Sequence, residues 1–284
     1  MAAMGAAPME PLDLLLIPLG VAIGAFGTLV GAGGGFVLTP ALLLLFPDRS
    51  PQTISAMSLL VVTANAASGS AGFAFQKRID YRSGAWFAAA ALPGAILGAI
   101  VVGYVPRRTF DAIFAAVLVV IGLWLATRRM GGAIQPPIRG RGVLHRELRD
   151  RYGIRYIYAF QLWKGVAISA AIGFMSSLLG IGGGVIHVPV MATVLHFPVH
   201  IATATSQLVL ALTAGEASIV HAVSGTLSFD RTLTQALLLA LGAIPGAQIG
   251  ARYAAKLRGG TILKALAVAL VLVGARLALK AARG

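Results

Sequence analysis

Five long stretches of the chain contain no charged side chain, and they limit the possible folds more than any other feature. Residues 14–46, 52–75, 84–105, 165–199 and 232–251 lack Asp, Glu, Lys and Arg. About 18 to 20 mainly apolar residues are enough for a helix to cross a bilayer. Only 11% of the chain is charged, against about 25% in soluble domains. The sequence therefore predicts an all-α polytopic membrane protein, since a β-barrel would show short alternating segments instead.

The remaining composition excludes several chemistries. No cysteine is present, so disulfides, thiolate metal sites and cysteine nucleophiles are ruled out. The formal net charge is +14, but the basic residues fall mainly between the apolar stretches, where they set topology and meet anionic lipid headgroups. We therefore expect contact with membrane lipid and no nucleic-acid partner. The histidines lack carboxylate or cysteine partners at metal-ligand spacing, so neither a metal nor a cofactor is expected.

A glycine cluster occurs twice at matching places. Residues 31–35 read GAGGG and residues 180–184 read GIGGG, and a proline follows each cluster, at Pro40 and Pro189. The chain is thus predicted to contain two pseudo-symmetric repeats, each with four to five helical segments and a glycine-broken helix at its start. Further pairs recur in the same order at an offset of 148 to 152 residues: Gly24 with Gly173, Phe46 with Phe197, Ser58 with Ser206, and Pro93 with Pro245.

This repeat divides the chain into residues 1–127, a basic linker over 128–158, and residues 159–284. The linker is the most polar segment and is predicted to be cytoplasmic, because basic residues concentrate on that side. Its sequence LHRELRDRYGIRYIY is compatible with a short amphipathic helix or with a plain solvated linker. If each broken segment forms a hairpin, the first half crosses the membrane three times and the second half is inverted, which the charge pattern favours. If residues 12–46 form one discontinuous span, the repeats are parallel.

The glycine clusters are costly inside helices, which indicates that they have a use. Glycine lowers helix stability by about 1 kcal/mol relative to alanine, and broken backbone in a bilayer is tolerated only inside protein or beside water. The amides freed at the start of the next half-helix, together with the helix dipole, form an anion site. Broken segments at matching positions in two halves are typical of a transporter's binding site. Close helix packing is the better explanation for three other glycine pairs: Gly20/Gly24, Gly94/Gly98 and Gly246/Gly250.

Uncharged polar side chains near the breaks are candidates for holding a releasable anion. Hydroxyl and amide groups donate hydrogen bonds without the cost of a buried charge. For each of them, hydrogen bonding between helices is the alternative role. The predicted substrate-binding residues are Gly33, Gly34, Gly35, Thr39, Ser58, Asn65, Gly182, Gly183, Gly184, His187, Ser206 and Gln207.

One carboxylate lies inside a predicted span. Glu216 is at least one helical turn from either end of its segment, and ionisable groups inside a membrane are costly and usually functional. The repeat aligns Glu216 with Ser68, so the two halves differ at this position. We expect Glu216 either to couple transport to protons or to be a structural carboxylate bonded to a neighbouring hydroxyl or helix end.

The motif from Gly31 to Pro40, GAGGGFVLTP, and the motif from Gly180 to Pro189, GIGGGVIHVP, resemble those of the TauE/SafE family of sulfite and sulfonate transporters. The resemblance covers nearly the whole chain. It implies a transporter of small sulfur-containing anions such as sulfite or sulfoacetate, which family members export or import. We predict a secondary transporter, an exporter working by alternating access between the two halves, in the bacterial cytoplasmic (inner) membrane. The sequence contains no Walker A motif, so direct drive by ATP is not expected. The Ala/Gly-rich helix faces permit a homodimer.

Two alternatives remain open. An anion channel or uniporter for other small organic anions would share this fold, and saturable, proton-linked flux would separate the two mechanisms. An intramembrane hydrolase would need a nucleophile hydrogen-bonded to a base. The candidate pair, Ser70 and His221, lies in opposite halves, and such an enzyme has no use for a duplicated glycine break. We therefore predict a transporter and not an enzyme.

Overall fold

The helical prediction is confirmed. The structure, a computed structural model, describes residues 11–127, 142–227 and 231–283. Within these ranges, eight helical segments are long and apolar enough to cross a membrane, and two shorter apolar helices follow the glycine clusters. The chain is therefore an all-α polytopic membrane protein. Its helices are α1 (Leu16–Val30), α2 (Gly35–Leu45), α3 (Pro51–Phe75), α4 (Tyr81–Val101), α5 (Arg107–Thr127), α6 (Leu162–Leu179), α7 (Gly184–Thr193), α8 (Val199–Val223), α9 (Arg231–Ala254) and α10 (Gly259–Arg283).

Helices α1 and α2 form a hairpin because the glycine cluster reverses the chain. α1 ends at Gly31, with a left-handed φ of 75°, and α2 starts after Gly34, with a φ of 81°; glycine adopts this region without a Cβ penalty. Both outer ends of the hairpin meet Gln235 of α9. Its Nε2 donates to Asp13 Oδ1 over 2.8 Å, and its Oε1 accepts from Arg49 over 2.7 Å. The hairpin therefore enters and leaves at one face of the bundle.

Helices α6 and α7 form a second hairpin, which inserts from the other face. Gly165, near the start of α6, lies against Phe87 of α4 and against Leu195, which follows α7. The loop before α4 adjoins the end of α9, because Gln76 Nε2 donates to Ala251 O over 2.9 Å. We call the face at Gln76 the linker face and the face at Gln235 the distal face. The opposed hairpins agree with an inverted arrangement, while the internal repeat itself stays a prediction.

Small residues let helices from the two predicted halves approach closely. Gly24 of α1 faces the backbone of Ala243 in α9, where a Cβ would lie 2.6 Å from the carbonyl oxygen, and Gly173 of α6 faces Ala91 of α4 in the same way. A side chain fits in neither place. Interfaces of this kind hold transmembrane helices together by close packing. The predicted packing role is also confirmed for Gly20, Gly94, Gly98, Gly246 and Gly250, since each lies against the backbone of a neighbouring helix.

The linker contains a β-hairpin, so the predicted amphipathic helix is wrong, and so is the plain solvated linker. Strands β1 (Val143–Arg149) and β2 (Arg155–Gln161) pair antiparallel. In β2, Tyr158 and Phe160 are buried whereas Ile157 is exposed, and this period of two with aromatic residues favours a strand. The predicted domain boundary at 158/159 falls inside β2. Residues 128–141 of the predicted linker lie outside the described residues.

Buried polar contacts fasten the β-hairpin to the linker face. Arg78 donates from Nε and Nη2 to Asp150 Oδ2 over 3.1 and 2.9 Å. Tyr158 Oη donates to Asp80 Oδ2 over 2.8 Å, and the Tyr158 ring packs on Phe197 with centroids 4.6 Å apart. Arg78 and Asp80 precede α4, whereas Phe197 lies between α7 and α8. The β-hairpin therefore joins loops from both predicted halves.

The contact between Arg78 and Asp150 makes stability depend on pH in the acidic range. Burial opposes the charged carboxylate, but hydrogen bonds from Arg78 and from the amides of Ile154 and Tyr152 outweigh it and hold the pKa of Asp150 below its usual value. A lowered folded-state pKa adds stability above about pH 4, the usual aspartate pKa, and that stability is lost as pH falls through the lowered value.

We therefore expect the wild type to lose more thermal stability than Asp150→Asn when the pH falls from about 5 to about 3, because only the wild type must protonate this carboxylate. The measurement is the Tm of detergent-solubilised protein at each pH. The exposed carboxylate of Glu147 offers a matched control, and Glu147→Gln should behave like the wild type. Equal losses in the wild type and Asp150→Asn would show that the ion pair does not contribute.

Candidate functional site

The two glycine breaks meet inside the bundle. A Cβ on Gly35, the first residue of α2, would lie 2.6 Å from the carbonyl oxygen of Ile181. A Cβ on Gly184, the first residue of α7, would lie 2.7 Å from the carbonyl oxygen of Gly31. Each half-helix therefore begins against the opposite break. The structure thus brings together the two predicted clusters: Gly33, Gly34 and Gly35 with Gly182, Gly183 and Gly184.

The starts of α2 and α7 have the properties expected of half-helices. The first amides of a helix lack intrahelical acceptors and carry partial positive charge. The N-cap residues of α2 and α7 are Gly34 and Gly183, so no side-chain cap accepts a hydrogen bond from these amides. Gly33 and Gly182, however, both face the apolar side chains of Val62 and Leu210. In this conformation the breaks are packed against each other and against apolar side chains.

The hydroxyls of Thr39 and Ser58 are engaged at the second break. Ser58 Oγ donates to the carbonyl oxygen of Gly180 over 2.7 Å, and Thr39 Oγ1 lies 2.9 Å from both of these oxygens. Ser55 Oγ donates to the carbonyl oxygen of Ser177 over 2.9 Å. These bonds add hydroxyl donors to carbonyls at and just after the end of α6, where regular helical hydrogen bonding stops. Thr39 and Ser58 therefore support the break in this conformation.

The imidazole of His187 is likewise engaged. His187 lies in the first turn of α7 and is 4% exposed, and its Nε2 is 2.9 Å from Ser169 Oγ of α6. This hydrogen bond holds the two arms of the second hairpin together. An anion at this break could reach Nε2 only by exchange with Ser169.

A set of polar side chains beside the first break keeps atoms without partners. Thr28 Oγ1 donates to Asn65 Oδ1 over 3.2 Å. A Cβ on Gly69 would lie 3.0 Å from Thr28 Oγ1 and 3.4 Å from the amide carbon of Gln207, so side chains of α1, α3 and α8 converge here. Asn65 Nδ2 and both amide atoms of Gln207 are buried without a hydrogen-bond partner. We call Thr28, Asn65 and Gln207 the polar cluster.

These unpaired atoms carry an energetic cost. A buried donor or acceptor without a partner costs about 1–3 kcal/mol, and such groups are uncommon in folded proteins. Ser206, which precedes Gln207, has a buried hydroxyl without a partner, as do Ser176 and Ser177 before the second break. The polar cluster contains amides and one hydroxyl but no ionised group. It can therefore hydrogen-bond an anion without holding it by a fixed opposite charge.

Sequence reasoning named Asn65, Gln207 and Ser206 but missed the hydroxyls that precede the breaks. A signal for two of them was present. Thr28 and Ser177 each occupy the third position before the first glycine of a break, Gly31 and Gly180. A hydroxyl recurring at this spacing identifies a polar last turn in both helices.

Glu216 lies away from the polar cluster. It is about two and a half helical turns from Gln207 along α8. Its neighbours on the same helix face, Leu212 and Ile219, are 47% and 66% exposed, so Glu216 lies at the edge of the lipid-facing side. Its Oε2 is nevertheless buried without a partner. Glu216 therefore does not belong to the polar cluster in this conformation.

The two opposed hairpins meet inside a bundle of spanning helices, beside buried polar groups without partners. Transporters place their substrate sites at broken helices of this kind, so this arrangement is that of a membrane transporter. The family model described as "Sulfite exporter TauE/SafE" matches residues 16–277, so the chain belongs to the TauE/SafE family. It is an integral multi-pass membrane transporter and not an enzyme, and a bacterial inner membrane is consistent with this family.

Individual relatives also carry transporter names. The "Probable membrane transporter protein YunE" of Bacillus subtilis is 32% identical over 270 residues, which cover 93% of this chain and 96% of that protein. The "Probable membrane transporter protein MJ0441" of Methanocaldococcus jannaschii is 26% identical, covering 81% and 78%. The "Probable membrane transporter protein ORF9" of a Sinorhizobium species is 28% identical, covering 91% and 88%. No solved structure matches the chain.

Proposed function

We propose that the protein is a secondary transporter that exports small sulfur-containing anions, such as sulfite, sulfoacetate or other organosulfonates, by alternating access. The observation that carries this proposal is the pair of unpaired buried amides, Asn65 and Gln207, beside the first glycine break. The family description supports sulfite as the substrate class. An anion channel or uniporter for other organic anions is the alternative.

The chemistry of the polar cluster suits a sulfur oxyanion. Sulfite and sulfonate groups present several acceptor oxygens around one sulfur atom. Asn65 Nδ2 and Gln207 Nε2 are donors without partners, and each hydrogen bond to a charged acceptor contributes about 1.5–3 kcal/mol. Because no lysine or arginine belongs to the cluster, the bound anion stays releasable.

Contacts at both faces hold the present conformation shut. At the distal face, Arg231 Nη2 lies 3.2 Å from Asp13 Oδ2, and Gln235 bonds both Asp13 and Arg49. At the linker face, the β-hairpin joins loops of both predicted halves. In the proposed cycle, one face opens at a time and the two glycine breaks separate, which frees the amides at the starts of α2 and α7 for the passing anion.

Flux measurements in proteoliposomes test this proposal. A carrier gives sulfite flux that saturates with concentration and that sulfoacetate inhibits competitively. A channel gives flux that rises in proportion to the gradient without saturation. Absence of flux for sulfite and for sulfoacetate alike would contradict the substrate class. The homodimer that the Ala/Gly-rich helix faces permit remains a proposal, and the polar cluster does not depend on it.

Glu216 is proposed to bind the coupling proton. A carboxyl group with a buried, unpartnered oxygen inside a span is costly unless it has a use. Its counterpart in the predicted repeat, Ser68, is fully bonded, since its hydroxyl donates to Ile244 O over 2.8 Å and accepts from Gln248 Nε2 over 2.9 Å. The two halves therefore differ in hydrogen bonding at this position as well as in residue type.

We expect Glu216→Gln to transport sulfite without responding to a pH gradient, because the amide cannot take up a proton. The measurement compares gradient-driven accumulation with sulfite exchange at equal pH, and only the former is lost. Glu147→Gln removes an exposed carboxylate outside the helices and should leave both activities unchanged. Accumulation by Glu216→Gln at the wild-type level would make Glu216 a structural residue.

A further inference from the structure

The imidazole of His221 is buried in the last turn of α8 with neither ring nitrogen hydrogen-bonded. The residue is 0% exposed, and Nδ1 and Nε2 both lack a partner among the residues that the structure describes. A buried polar atom without a partner is costly and uncommon in folded proteins. Either tautomer of a neutral imidazole carries one N–H donor, so the ring keeps a donor that no described protein group uses.

Hydrogen bonds at the distal face cover the end of α8 where this ring lies. The chain leaving α8 folds back, and the amides of Thr226 and Leu227 donate to the carbonyl oxygen of His221 over 3.0 and 3.3 Å. Thr226 Oγ1 accepts from Nε2 of Gln52 over 3.0 Å, and Gln52 belongs to the first turn of α3. We call Gln52 and Thr226 the distal lid. One side-chain hydrogen bond joins its two parts, so they can separate without unfolding a helix.

Apolar residues lie between His221 and the polar cluster. Ala214 and Ala217 of α8 pack in one cluster with Val62 of α3, and both alanines fall between Gln207 and His221 in the chain. His221 is about 21 Å beyond Gln207 along the axis of α8. An anion that moves from the polar cluster to the distal face along the contact between α3 and α8 passes these apolar side chains and then meets the imidazole.

The predicted repeat places an apolar ring at the matching position of the other half. The offset of 148 residues that aligns Ser68 with Glu216 also aligns Phe73 with His221. Phe73 is 1% exposed in a cluster of apolar residues, and it lies near the linker face, three residues before Gln76. A phenyl ring fills that position without an unpaired polar atom. Packing alone therefore does not explain why the distal position has a histidine.

We propose that His221 is a second contact site for the transported oxyanion, on the distal side, reached when the distal lid opens. The ring N–H donates to an oxygen of the sulfite or sulfonate group, as Asn65 and Gln207 are proposed to do in the polar cluster. The inference rests on the proposed transport of such anions and adds a distal step to it. Because the linker side has Phe73 at the matching position, only an anion that binds from the distal side uses this donor.

Flux measured separately from each face tests the proposal. In proteoliposomes of known orientation, the half-saturation concentration for sulfite is determined with sulfite at the distal or at the linker face. We expect His221→Phe to raise the distal value about 10-fold, the effect of one lost hydrogen bond to a charged acceptor, and to leave the linker value unchanged. Its Tm should not fall, because the phenyl ring removes two unpaired nitrogens. His145→Phe, at an exposed histidine of β1, is the matched control and should change neither value.

Two further variants separate hydrogen bonding from ring shape. His221→Asn and His221→Gln place an amide donor near the positions of Nδ1 and Nε2, and one of them should restore the wild-type value at the distal face. Failure of both to restore it, equal effects of His221→Phe at the two faces, or no effect at either face would overturn the proposal.

A binding measurement separates this inference from transport itself. In protein that contains isotope-labelled histidine, the ring resonances missing from His221→Phe identify His221, and sulfite, but not chloride, should shift them in the wild type. Shifted resonances without saturable flux would contradict the proposed function and support the anion contact. Saturable flux with unshifted resonances would overturn the inference and leave the proposed function in place, and absence of both would overturn both.

Discussion

We expect Gln207→Leu to weaken the affinity for the transported anion about 10- to 100-fold while leaving the protein at least as stable as the wild type. The amide of Gln207 is buried with neither atom bonded, so its loss removes no protein hydrogen bond. Replacing a buried unsatisfied group by an apolar one is neutral or stabilising by up to about 1–3 kcal/mol. The lost hydrogen bond to a charged ligand, about 1.5–3 kcal/mol, gives the fall in affinity. Sulfite flux and Tm are measured on the same preparation.

Gln248→Leu is the matched control for this prediction. The Gln248 amide already donates to Ser68 O over 2.6 Å, so its removal breaks a bond between α9 and α3. We expect the opposite pattern, a loss of about 1 kcal/mol of stability with unchanged affinity for the anion. If Gln207→Leu transports with wild-type affinity, the polar cluster is not the binding site.

Gly35→Ala and Gly184→Ala should each lower stability by about 1–3 kcal/mol and sharply reduce transport. Both glycines lie in helical backbone where alanine is otherwise favoured. The new Cβ would lie 2.6 Å from Ile181 O in one variant and 2.7 Å from Gly31 O in the other, so backbone must shift at the contact between the breaks. Overpacking of this size costs a few kcal/mol. Thermal unfolding and sulfite flux give the two readouts.

Gly215→Ala separates the steric effect from the general effect of alanine. Gly215 lies in α8, and a Cβ there would meet only Thr63 Cγ2 at an ordinary 3.5 Å. We expect this variant to gain up to about 1 kcal/mol from helix propensity. Wild-type stability and flux in both Gly35→Ala and Gly184→Ala would mean that the two breaks do not touch in the membrane.

Most of the helical framework follows from the sequence, because an apolar segment in a bilayer has few alternatives to a helix. The prediction of a span over 52–75 agrees with α3 at Pro51–Phe75 to within one residue. The breaks at Gly31 and Gly180 were also predictable, since both residues adopt left-handed backbone angles that glycine tolerates best.

The β-hairpin and the polar cluster depended on tertiary contacts that no local pattern encodes. Tyr158 and Phe160 form a strand because they pack on Phe197, which is distant in the chain. Asn65 and Gln207 were each predicted as ligands, but their convergence requires α3 and α8 to meet at Gly69. Asn65 and Gln207 keep polar atoms without partners, whereas Ser58 is already hydrogen-bonded. No pattern in the sequence predicts this difference.

The two faces are closed by interactions that differ in their sensitivity to salt. In the distal pair, Arg231 and Asp13 have side-chain exposures of 35% and 7%, whereas in the linker-face pair, Arg78 and Asp150 have 2% and 0%. Dissolved ions screen an exposed pair far more than a buried one. In the proposed alternating-access cycle, rising ionic strength should therefore weaken the distal contact first and favour opening on that side. On this proposal, the electrolyte in contact with the distal face helps to decide which way the empty transporter faces.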